Sequence, residues 1–74
     1  MKLYDKYRVM IDELMWMHHL SNMPKQISFI ARIHHSSDDS DLEYRIIEGV
    51  ENYLFQFYGG AIKKFKIKSF SFIG

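Results

Sequence analysis

The sequence predicts a small α+β domain of order α-β-α-β, with two helices packed on a short sheet that is completed or stabilised by dimerisation. Three observations carry this expectation. Apolar residues recur at three- and four-residue steps over residues 3–20 and again over 42–58. They alternate with polar residues over 25–35 and 61–73. A helix-start pattern and a glycine pair bracket the second helical stretch.

The first helix is expected over residues 3–20. Leu3, Tyr7, Met10, Ile11, Leu14 and Met17 share one face. Asp5 near its start and the His18–His19 pair near its end suit the helix dipole. "SNMP" ends it, because a residue before proline avoids the α region.

Residues 25–35 fit a strand. Ile27, Phe29, Ala31 and Ile33 alternate on one face, with Ser28, Ile30, Arg32 and His34 on the other. "SSDDSDLE" then reads as a turn and a helix start. Ser40 and Glu43 form the S-x-x-E capping pattern, and Asp38, Asp39 and Asp41 crowd the positive end of the dipole. This helix is expected to run to about residue 58 on a stripe of Leu42, Ile46, Ile47, Val50, Tyr53, Leu54, Phe57 and Tyr58, and to stop at Gly59–Gly60.

Residues 61–73 read as a second strand, in which Phe65 and Ile67 alternate with Lys64, Lys66 and Lys68. The phase flips past Ser69, so either a bulge sits there or Phe70 and Phe72 point away from the core. A strand–helix–strand order favours a parallel pair. Two strands alone are weak, so a missing strand or pairing across a dimer is expected.

A chain of 74 residues is a single domain, 1–74. It has no Cys, so no disulfide supports the small core, and self-association is one usual remedy. No apolar run approaches the roughly 20 residues of a membrane helix. The opening "MKLYDKYR" becomes charged too early for a signal peptide.

Charge is segregated. Residues 1–35 carry +2, residues 36–58 carry −5 and residues 59–74 carry +4. Such segregation bears on association rather than fold. Asp38, Asp39, Asp41, Glu43, Glu48 and Glu51 face only Arg45 in their segment, and form a candidate surface for a basic partner. Val9, Trp16, Leu20, Tyr44, Phe55, Phe70 and Phe72 lack an obvious place in a two-layer monomer and form a candidate dimer or partner surface.

No catalytic constellation is present: no Gly-rich loop after a strand, no G-x-S-x-G and no H-E-x-x-H. Ser36, Ser37, His35 and Asp38 have the residue types of a triad, but their adjacency suits a turn and cap. His18, His19, His34 and His35 are neighbours in pairs, which sends their side chains apart rather than onto one metal. The expectation is a non-enzymatic protein with no cofactor or metal. A second reading is direct nucleic-acid binding by Lys63, Lys64, Lys66, Lys68 and Phe70.

Residues 26–30, "QISFI", resemble the Q-L-[S/D]-L-F peptide through which bacterial proteins bind the replication sliding clamp. Gln26 and Ser28 match, Ile27 is conservative, and Phe29 and Ile30 exchange the aliphatic and aromatic positions. The likeness covers five residues. The chain as a whole, short, without Cys and with nine Ile against two Ala, resembles small host-takeover proteins of phages, in particular a phage inhibitor of the sliding clamp. This resemblance implies a clamp-binding inhibitor acting in the cytoplasm of an infected bacterium. Its acidic segment would take the place of DNA in the clamp's basic channel. The alternation in β-strand phase puts Ile27 and Phe29 toward the core, so the acidic segment is the better candidate for the contact.

Overall fold

The computed structural model describes residues 2–18 and 23–74. Its elements are β1 (Tyr4–Trp16), β2 (Ile27–His34), α1 (Leu42–Tyr58) and β3 (Ile62–Phe72). The fold is α+β, with one helix and three strands among the described residues. The sheet order is β2-β1-β3, and β1 runs antiparallel to both neighbours. α1 packs on one face of this sheet, and the other face is open.

The expected first helix is instead the central strand. Residues 4–16 carry two periods at once, because Tyr7 and Ile11 are four apart and also share strand parity. The alternation decides the outcome: Asp5, Tyr7, Val9 and Ile11 are buried, while Lys6 and Arg8 between them are exposed. Tyr, Val and Ile suit a pleated, half-buried surface. Only this arrangement also gives β2 and β3 a hydrogen-bonding partner, so the missing strand comes from the same chain. Leu20, placed in the expected helix's second patch, lies outside the described residues, as does His19.

β2 and β3 are not paired with each other, contrary to the expected parallel pair. They run in the same direction with β1 between them, so the crossover through α1 spans the central strand. The phase flip in β3 is a bulge at Lys68: Met10 pairs with Ser69 and Ile11 with Ile67, leaving Lys68 without a partner. Phe65, Ile67 and Phe70 thereby all pack against the core. A second irregularity lies in β1 between Asp12 and Met15, where Glu13 adopts φ 51°. That left-handed conformation costs an ordinary L-residue about 1–2 kcal/mol.

The core consists of Tyr7, Val9, Ile11, Phe29, Ala31, Ile33, Ile46, Val50 and Leu54. Each fully buried aliphatic side chain contributes about 1.5–3 kcal/mol. α1 comes close to β2 because Gly49 has no side chain. A Cβ there would lie 2.9 Å from the Arg32 carbonyl oxygen and would overlap Ile33 Cδ1. Gly59, with φ 61°, ends the helix and donates its N–H to the Phe55 carbonyl at 2.9 Å.

Candidate functional site

The acidic segment is built around a buried cation. Arg45 donates from Nε to Asp41 Oδ1 at 2.9 Å, from NH1 to the His34 carbonyl at 2.7 Å and from NH2 to the Asp38 carbonyl at 3.0 Å. Asp39 Oδ1 stands 3.8 Å from the same guanidinium. The hydrogen bond to Asp41 raises the Arg45 pKa above its ordinary value against the opposing effect of burial. A planar fork with several donors fits this task, which an ammonium would not perform.

The expected S-x-x-E capping box does not form. The N-cap is Asp41, at φ −112°, and no side chain caps the helix. Ser40 turns back instead, donating its N–H and its hydroxyl to the Asp38 carboxylate at 2.9 and 3.0 Å. The backbone N–H of Ser40 is the main cause holding the Asp38 pKa below the ordinary aspartate value. A three-residue Asp–Ser turn satisfies the polar groups locally, as it does in many loops.

The six carboxylates therefore divide into two kinds. Asp38 and Asp41 are engaged in fixing the loop. Asp39, Glu43 and Glu51 are exposed, and neither Glu43 nor Glu51 has a cation within ion-pair distance among the described residues. Glu48 lies 3.7 Å from His34 Nε2. Along α1, Tyr44, Glu48, Glu51 and Phe55 follow four-, three- and four-residue steps, which aligns them on the side away from the sheet. Tyr44 and Phe55 are 69% and 74% exposed, among the most exposed large apolar side chains in the protein. Beside them, Glu43 and Ile47 join Ile67 and Phe70 in lining a shallow groove of about 220 Å³.

The remaining apolar candidates separate. Val9 is a central core residue, and Phe70 packs against the core. Trp16 is half-buried, donates Nε1 to the Pro24 carbonyl at 2.8 Å and meets Tyr58 edge-on at 5.7 Å. Phe72 is exposed beside Tyr7, at 5.5 Å between ring centroids. Only Tyr44, Phe55 and Phe72 of the described set remain as accessible surface.

The five residues of "QISFI" sit in and just before β2. Gln26 donates Nε2 to Met10 Sδ at 3.2 Å. Ile27 is half-buried, and Phe29 is buried and stacked on Tyr53. Ser28 and Ile30 face the open side. While the sheet is intact, this segment is paired to β1 through Arg8–Ile11 rather than free as a peptide.

The open sheet face holds what the helical reading of residues 3–20 concealed. Lys6 is directly opposite Arg32, and Arg8 opposite Ile30. The alternation of Lys6, Arg8 and Met10 against Tyr7, Val9 and Ile11 was the signal that could have found this row. In β3, Lys66 lies 3.8 Å from Glu13, Lys68 occupies the bulge, and Lys63 and Lys64 are exposed.

The histidines do not converge. His34 packs against Tyr4 with ring centroids 4.9 Å apart and planes tilted by 36°, and His35 Nδ1 lies 2.9 Å from the Asp5 carboxylate. His18 follows the other end of β1. Among the described residues no group of three or more His, Asp or Glu is placed to hold a metal. No described helix is long and apolar enough to cross a membrane. Comparison with protein-family models, with curated proteins and with solved structures finds no match to this chain.

Proposed function

We propose that this protein is a non-enzymatic inhibitor of bacterial DNA replication. It binds the sliding clamp, the beta subunit of DNA polymerase III, and acts in the cytoplasm of a phage-infected cell. Its acidic helix face takes the place of DNA in the basic channel and blocks clamp loading. The observation that carries this reading is the line Tyr44–Glu48–Glu51–Phe55, flanked by Asp39 and Glu43: carboxylates interleaved with exposed aromatics on a rigid helix. Carboxylates complement a surface that normally meets phosphates, and the aromatic rings supply the apolar contact that charge alone lacks. Arg45 supports the reading by holding the preceding loop in one conformation, which lowers the ordering cost on binding.

A homodimer is not needed to complete the sheet, so the exposed aromatic line is assigned to the partner. The test is calorimetric titration of purified clamp with this protein. Heat at micromolar concentrations that disappears in Glu43→Lys/Glu51→Lys, and weakens as salt rises, supports the reading. No heat from the native protein removes it.

A further inference from the structure

We propose a second binding surface, which runs from the open sheet face round the edge of β2 to the flank of α1 and takes single-stranded nucleic acid. Its phosphates lie along Lys6, Arg8 and Arg32, and one base enters a groove beside Arg32. This proposal does not rest on the clamp reading, because its cations and amides are not among the carboxylates and rings of that reading, although Asn52 adjoins Glu48 and Glu51 on α1.

Lys6 and Arg32 are directly opposite each other across the β1–β2 ladder. Like charges in that relation destabilise a sheet, so folding gives no reason for the pair. Arg8 extends the row on the same side of β1. None of the three has a carboxylate within ion-pair distance among the described residues, whereas Lys2 and Lys66 each have one and Arg45 has two. The nearest acid on this face of β1 is Asp12, two positions along from Met10 and opposite Lys66. Ser28, Ser69 and Ser71 add exposed hydroxyls around the row.

The row ends at a groove of about 410 Å³ between the edge of β2 and the flank of α1. Arg32 belongs to both. From the helix, Asn52 and Gln56, one turn apart, present amides that both donate and accept, and Phe57 presents a ring that is 60% exposed. A cation for phosphate, a ring for stacking and amides for a base edge together describe a nucleotide of an unpaired strand. A lipid headgroup would use the cations and leave the amides and ring idle.

The test is fluorescence anisotropy with single-stranded homopolymers of dA, dC and dT, each of about 12 nucleotides. Three phosphate contacts predict a loss of about twentyfold in affinity between about 50 and 200 mM salt. In Lys6→Thr/Arg8→Thr, which preserves strand propensity, this falls to about threefold. The native protein should rank the three homopolymers, and Asn52→Ala/Gln56→Ala should level the ranking while keeping the salt dependence. Absence of binding at low salt, or binding only to vesicles containing phosphatidylserine, overturns the proposal. Equal affinities for all three homopolymers overturn the base groove while leaving the phosphate row and the clamp reading standing.

Discussion

Phe29 and Tyr53 lie face to face, with ring centroids 4.0 Å apart and planes within 6° of parallel. This stack joins the first half of β2 to the fourth turn of α1, and Phe57 packs tilted against Tyr53 at 4.5 Å. It also decides how the five residues 26–30 are used. Phe29→Ala should destabilise the fold by about 3–5 kcal/mol. Ile30→Ala, on the open face, should stay within about 1 kcal/mol. Urea unfolding of both variants checks the contrast; equal losses would contradict the strand assignment.

Gly49 offers a prediction whose sign differs from the usual rule. Gly→Ala in a helix interior normally stabilises by about 1 kcal/mol. Here the new methyl group would meet the Arg32 carbonyl and Ile33. Overpacking of this kind costs about 1–3 kcal/mol, so Gly49→Ala should lower the melting temperature. A rise would mean that α1 can move away from β2 freely.

Glu13 should respond in the opposite direction. Its positive φ is one that glycine adopts without steric cost. Its exposed contact with Lys66, at 3.8 Å, is worth little. Glu13→Gly should therefore stabilise the protein by about 0.5–1 kcal/mol, read from the urea midpoint. Glu13→Val should destabilise it, because a β-branched residue tolerates this backbone region poorly.

Acid sensitivity should trace to Asp5. Its hydrogen bond with His35 holds its pKa below the ordinary value, with Lys2 adding to the effect against the opposing pull of desolvation. A carboxylate whose folded pKa is depressed contributes stability that is present in full above its unfolded pKa of about 3.9. That contribution is lost as pH falls through the lower, folded value. Native protein should lose stability progressively below about pH 4, and Asp5→Asn should flatten that part of the profile. Unfolding midpoints measured from neutral pH downward check this.

Arg45→Lys should release the loop before α1. One ammonium cannot reach Asp41, the His34 carbonyl and the Asp38 carbonyl together. Limited proteolysis should then cut between residues 35 and 41 faster than in the native protein, with the circular dichroism of α1 retained. Unchanged cleavage would show that the Asp38–Ser40 turn holds the loop alone.

β2, α1 and β3 were legible in the sequence because each has one dominant period and clear stops. Even the bulge showed itself, through the change of parity between Ile67 and Phe70. β1 was not legible as a strand from helical periodicity, since Tyr7, Ile11 and Leu14 satisfy that spacing too. The alternation of Lys6 and Arg8 with Tyr7, Val9 and Ile11 resolves the two periods, and a tertiary demand agrees with it: two strands without a partner needed a third between them. The same error hid the cationic row, because a helical reading scatters Lys6 and Arg8 that a strand puts on one side. The carboxylates were visible as a cluster. Which of them are occupied by Arg45 and Ser40 depends on loop geometry that no residue pattern specifies.

The position of β1 at the centre of the sheet also has a temporal consequence. Within this sheet the first strand to be synthesised is paired with the last, Tyr7 with Phe72 and Lys6 N–H with the Gly74 carbonyl. The core cannot close until β3 has been made, and the ladder that closes it joins distant parts of the chain, a feature that slows folding. Until then β1 and β2 present Val9 and Ile11 on an unfinished sheet with a bare edge, the kind of intermediate that associates with its neighbours. Rapid expression should therefore challenge this protein's solubility more than its finished surface would suggest.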